Sequence, residues 1–200
     1  MASKYVAFGL LTFTLWLGSV TYSWAISEGE ARHLLARTGF GGGLEQIREL
    51  QALDYDEAVD QLLSGQDVTA MRNPPGWANE LPIHPKIRKS MSKEEKRALR
   101  KKLRGWGIEL KQWWYEEMLS TESELNERMT LFWSNHFTSD LKKVKWPPLM
   151  YNQNVLLRSH ALGNFRDLLR EVARDPAMLL YLDNAKNKKN KPNENYSSLH

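Results

Sequence analysis

The sequence predicts an all-α fold, an irregular multi-helix domain with a Pro-rich loop, preceded by an export signal peptide. Three observations carry this. Helix-start signatures recur from Ser27 to Asp175. No stretch keeps up the alternation of polar and apolar residues that marks a strand, and no Asn-Gly or Asp-Gly hairpin pair occurs. Gly or Pro falls where most of the helical patterns end.

Residues 1–25 read as an address. Lys4 is the only charge before Glu28, Tyr5 to Val20 is an apolar run, and Ser23 and Ala25 are the small residues that a signal peptidase requires. Cleavage after Ala25 is expected, by the general secretory route, since no twin-arginine pair is present. The alternative is a retained membrane anchor, because the uncharged stretch Tyr5–Ser27 is 23 residues long. In both cases the body of the protein is exported, periplasmic or extracellular.

Residues 26–200 then read as one helical domain. Ser27 with Glu30 is a capping box for a helix through Arg37, stopped by Gly39, with Gly41-Gly42-Gly43 as a flexible end. Asp54 with Glu57 opens a second helix, closed by Gly65. Asp67 to Met91 holds Pro74, Pro75, Pro82 and Pro85 and reads as a loop or strap. Ser92 with Glu95 opens a long helix, and Thr121 with Glu124 opens the next. Pro147 and Pro148 suit the first turn of a helix running to about Leu162. Asn164 caps Phe165–Arg174, and Asp175-Pro176 restarts a short helix through Leu182. Asp183 to Tyr196 reads as a second loop.

Composition narrows the function classes. Of 200 residues, 42% are hydrophobic and 26% charged, which excludes a disordered chain and a polytopic membrane protein. The absence of cysteine excludes a disulfide framework or disulfide-linked partner, a thiolate metal site and a cysteine nucleophile. No phosphate-binding glycine loop, dinucleotide fingerprint or Gly-x-Ser-x-Gly elbow is present.

The charge is polarised. Lys86 to Arg104 contains ten Lys/Arg and two Glu, a local +8, while the rest of the chain beyond residue 25 carries −5. Leu99, Leu103, Trp106, Leu110 and Trp113 share one helical face, with Lys96, Arg100, Lys101 and Arg104 around the remainder. These four cations are candidates for contact with an anionic membrane surface or an acidic protein partner. No nucleic acid partner is expected of an exported chain, despite an isoelectric point near 9.2. Gly105 and Gly107 either weaken this helix or admit a close neighbour.

Four segments together resemble one family. They are Ala31 to Gly41, the motif Trp133-Ser134-Asn135-His136-Phe137, the run His160 to Leu169, and Asp175 to Asp183 followed by Pro192-Asn193-Glu194-Asn195-Tyr196. Their order and separation look like the N-terminal part of domain-of-unknown-function family 1800, a group of secreted, mostly helical bacterial proteins. The resemblance implies a helical fold and no particular activity. It also implies a chain incomplete at its C-terminus: members continue past this point into a further helix, where this sequence reads Ser197-Ser198-Leu199-His200.

The residues best suited to chemistry are His136, His160, Asp183, Asn184, Asn187, Asn193, Glu194 and Asn195, since a histidine with carboxylates moves protons or holds a metal. A catalytic grouping of His136, Asp183 and Glu194 is one expectation. A hydrogen-bonded core histidine at 136 and a histidine on a helix C-terminus at 160 are the structural ones. Asp183 to Asn190 carries oxygen ligands at alternating places, but Lys186, Lys188, Lys189 and Lys191 oppose a divalent cation, so no metal site is expected. The sequence names no cofactor. Two readings result: an extracytoplasmic helical interaction or scaffold module, which is preferred, and a secreted hydrolase-like enzyme whose His/carboxylate site is inactive or incomplete in this chain.

Overall fold

The structure, a computed structural model, describes residues 25–184. The expected signal segment, Asn187, Asn193, Glu194 and Asn195 lie outside the described residues. Within them the fold is all-α, ten helices and no strand. They are α1 (Glu28–Thr38), α2 (Leu44–Gln51), α3 (Tyr55–Leu63), α4 (Pro85–Ser90), α5 (Lys93–Ser120), α6 (Glu124–His136), α7 (Leu141–Val144), α8 (Pro147–Ser159), α9 (Phe165–Val172) and α10 (Pro176–Tyr181). No helix among the described residues is long and apolar enough to cross a membrane.

The caps explain most of the boundaries. Capping boxes form at Ser27 with Glu30, Asp54 with Glu57 and Ser92 with Glu95, each satisfying an amide that the first turn leaves open. Asn164 and Asp175 accept from Arg166 N–H and Met178 N–H at 2.9 and 2.8 Å. Pro147 and Pro148 occupy the first turn of α8, which ends at Ser159 rather than Leu162.

Three sequence expectations are corrected. Thr121 and Glu124 form no box: α6 starts behind Ser123, whose hydroxyl accepts from the Asp67 amide at 2.7 Å, and the Glu124 carboxylate takes the Gln46 amide at 2.9 Å. Tertiary partners there outcompete the local cap. The Pro-rich stretch is not all loop, because Pro85 presets the first turn of α4 and His84 Nδ1 accepts from Lys86 N–H at 3.2 Å. The three glycines are not a loose end. A Cβ on Gly42 would stand 2.3 Å from Leu35 Cδ1, and Gly43 caps the unanticipated α2 by donating its N–H to Gln46 Oε1 at 3.0 Å. The short α7 was also unanticipated; Asp140 caps it through Lys142 N–H at 2.8 Å.

Three apolar clusters hold the helices. Ile26, Ala31, Leu34, Leu35, Ile47, Leu50 and Ala58 join α1, α2 and α3. Phe137, Leu157, Leu168, Val172 and Met178 join α8, α9 and α10 beneath the end of α6. Trp77, Ala78, Trp113 and Tyr151 join the Pro-rich strap to α5 and α8. Helix α8 is the centre of the larger part, packing on α5, α6, α7, α9 and α10.

Candidate functional site

Two regions answer to the sequence candidates, the His136–Asp183 area and the basic helix. His136 closes α6 and is exposed, not a core histidine. Its ring stacks on Phe132 at 6.2 Å and 10° and meets Trp133 and Phe137 edge-on. The burial expected of it falls instead to Phe137, one residue on, because α6 ends at His136 and the chain turns inward there. Asp183, at φ 58°, pairs with Lys143 at 2.9 Å beside an open cleft shared with Asp140, Lys142 and Lys145. His160 follows α8, its Nδ1 3.1 Å from the Leu156 carbonyl, where a helix C-terminus favours a ring N–H. Asn184 ends the described residues. No group of three metal-ligating side chains occurs among the described residues.

The basic helix is built differently from its neighbours. α5 has 28 residues, about 42 Å at the α-helical rise. Its C-terminal half is packed: Gly107, Trp113 and Glu117 are buried. Its N-terminal half has no buried residue before Gly107. Lys93, Arg97, Arg100, Lys101, Lys102 and Arg104 are all exposed there, and Lys96 is half-buried, donating to the Lys89 carbonyl at 3.2 Å. Leu99, Leu103, Trp106 and Leu110 are half-buried, as the shared face requires. Lys102 lies 4.4 Å from the centre of the Trp106 ring. Among the described residues, none of the ten Lys/Arg from Lys86 to Arg104 forms an ion pair. The Glu95 carboxylate is already engaged by the Ser92 amide at 2.6 Å; that bond and one with the Ser92 hydroxyl hold its pKa below the usual value.

The strap is fixed to the packed half of α5 by bonds that sequence reasoning missed. Buried Glu117 accepts from the amides of Met71 and Arg72 at 2.8 and 2.9 Å. Trp113 Nε1 donates to the Asn73 carbonyl at 3.0 Å, Trp77 Nε1 to Glu109 at 2.5 Å, and Trp146 Nε1 to the Glu80 carbonyl at 2.8 Å. Trp77 stacks on Trp106 at 5.5 Å, and Trp146 meets Trp106 edge-on. The partners on α5 fall from residue 117 to 106 as the strap rises from 71 to 77, so the strap runs antiparallel to α5. The sequence offered one signal for this: the placing of Trp106 and Trp113 on one face of α5, after a Pro-rich segment.

An all-α domain with a pinned strap and one unneutralised cationic helix is therefore the class of protein that the fold defines. The chain belongs to the family described as "Protein of unknown function (DUF1800)", whose model matches residues 33–197. No curated protein and no solved structure matches it.

Proposed function

We propose that this chain is an extracytoplasmic helical interaction module that meets an anionic partner surface through the basic half of α5. The observation that carries the reading is the ten Lys/Arg from Lys86 to Arg104 without an ion pair, on helical turns that bury no side chain. Lys93, Arg97 and Lys101 repeat at four-residue intervals, as do Lys96, Arg100 and Arg104. Like charges so spaced destabilise a helix by roughly 0.2–0.5 kcal/mol per pair. An anionic surface relieves that repulsion and adds attraction, about 1 kcal/mol per cation near a charged membrane. The hydrolase-like reading relied on His136, Asp183 and Glu194; His136 rests on aromatic rings and Asp183 on Lys143, so the basic helix is the stronger support for a function.

The test is binding of the full chain to poly-glutamate and to phosphatidylglycerol vesicles over a range of salt. Replacing Arg100, Lys101 and Arg104 together with Gln is expected to weaken binding about a hundredfold at low salt. Screening within about 8–10 Å at 0.10–0.15 M salt should weaken the wild-type chain as well. A triple variant that binds both probes like the wild type overturns the reading. The export component has its own check, N-terminal sequencing of secreted protein, which should begin at Ile26.

A further inference from the structure

The strap does not stop where its last tryptophan bond holds it. Glu80 is tied to Trp146, whose ring lies against Trp106. Ser92, twelve residues further on, caps the start of α5, about 21 Å from Trp106 along the helix. The intervening segment links the Trp146 end of the strap to the start of α5, and the bond from Lys96 Nζ to the Lys89 carbonyl ties its far end to the first turns of that helix. This linking segment contains Leu81-Pro82-Ile83-His84-Pro85-Lys86-Ile87-Arg88-Lys89. Leu81 is 83% exposed and Ile87 58%. Ile87 stands within the stretch that carries the local +8, and Leu81 five residues before its first cation.

We propose that this region docks on an anionic lipid bilayer, with Leu81 and Ile87 entering the boundary between headgroups and acyl chains and the cations of α4 and α5 taking the headgroups. The inference rests on the anionic-surface reading above and deepens it by naming the surface. The two kinds of side chain call for the two layers that a bilayer offers. Cations without ion pairs need a dense array of negative charge, and exposed aliphatic side chains among them need an apolar phase within a few ångströms of that charge. A bilayer supplies both in one continuous surface, whereas an acidic polypeptide such as poly-glutamate supplies only the first. Pro82 and Pro85 limit the backbone freedom of the segment, so less ordering is required when it docks.

The cysteine-free sequence allows a site-specific test. Leu81→Cys in the full chain is labelled with the environment-sensitive fluorophore NBD. It is titrated with phosphatidylglycerol/phosphatidylcholine vesicles, with phosphatidylcholine vesicles and with poly-glutamate. The label at 81 reads insertion at that position, whatever residues 1–25 do. Expected is a blue-shifted, brighter emission on the phosphatidylglycerol vesicles alone, lost in high salt. Ile87→Ser should weaken the vesicle titration about tenfold while poly-glutamate binding is unchanged. Both positions are exposed, and circular dichroism checks that the helices persist. Binding of poly-glutamate with a label that stays dark on vesicles overturns the bilayer and identifies an acidic protein as the partner, leaving the anionic-surface reading intact. Salt-insensitive behaviour of wild type and the Arg100/Lys101/Arg104 triple variant with every probe overturns both.

Discussion

Arg158 of α8 holds Glu127 of α6 inside the domain. Nη2 donates to Oε2 at 2.7 Å and to Oε1 at 2.9 Å, Nε donates to Oε2 at 3.0 Å, and each side chain is 2% exposed. The pair is saturated by its surroundings. Trp114 Nε1 donates to Glu127 Oε1 at 2.5 Å, Arg158 Nη1 donates to Asn154 Oδ1 at 2.7 Å, and the guanidinium lies over the Trp113 ring. Three helices, α5, α6 and α8, thus meet at one ion pair.

Removing one partner should cost far more than removing both. Arg158→Met leaves a buried carboxylate without its counter-charge, a loss of roughly 3–5 kcal/mol. Glu127→Leu with Arg158→Met should recover much of it, since an apolar pair needs no desolvated charge to be matched. Urea unfolding of the single and double variants gives the coupling directly. Additive losses would show that the two side chains act independently.

The buried carboxyl of Asp175 sets a pH dependence. Burial pushes the Asp175 carboxyl above the ordinary value of 3.8, against the bonds it accepts from the Met178 amide, Gln153 and the Ala177 amide. The native group therefore binds its proton at a higher pH than the unfolded one. Stability from this group rises as pH falls through the raised native value and levels off below 3.8. Asp175→Asn keeps an acceptor for Met178 and removes the titration. The wild-type minus variant difference in unfolding free energy should grow as the solution is acidified; a constant difference contradicts the raised value.

Two glycines in one helix should answer oppositely to alanine. Nothing lies within 4 Å of a Cβ built on Gly105, so Gly105→Ala should stabilise α5 by about 0.4–1 kcal/mol. A Cβ on Gly107 would meet Leu141 Cδ2 at 2.6 Å, so Gly107→Ala must displace α7 or its leucine and should not share the gain. Paired thermal melts decide it.

Glu117→Ala should free the strap. It takes the carboxylate acceptor from the amides of Met71 and Arg72, on two residues that are themselves exposed, at roughly 0.5–1.5 kcal/mol for each bond lost. Limited proteolysis should then cut between Val68 and Glu80 at a rate well above that of the wild type. Equal rates would mean that the indole bonds and the Arg72–Glu116 ion pair suffice to fix the segment.

The helix starts were legible because a cap is a local device: Ser27, Asp54, Ser92, Asn164 and Asp175 each act within three residues of themselves. The start of α6 misled because Ser123 and Glu124 spend their oxygens on Asp67 and Gln46, which only the fold brings near. The cationic character of α5 was readable from composition, and its half-buried Leu99 and Leu103 from spacing. Glu117, Glu127 and Arg158 were not, since a charged residue on a helix reads as a surface residue until its partner is placed beside it. His136 went the other way: its aromatic neighbours in sequence suggested burial, yet the ring is exposed and stacks on the exposed Phe132.

The strap has a consequence for the order in which the chain assembles. Its ties join residues 46, 40, 32 and 66 positions apart, through Glu117, Trp113, Glu109 and Trp146. Each loop has to be closed before its single bond is gained, whereas a turn of α5 closes over four residues. The strap therefore has no track to lie on until α5 is already wound, and α8 must arrive before Glu80 finds its indole. Docking of the strap is expected to follow the winding of α5, and Trp77, Trp113 and Trp146 are placed to report it as a change of indole emission.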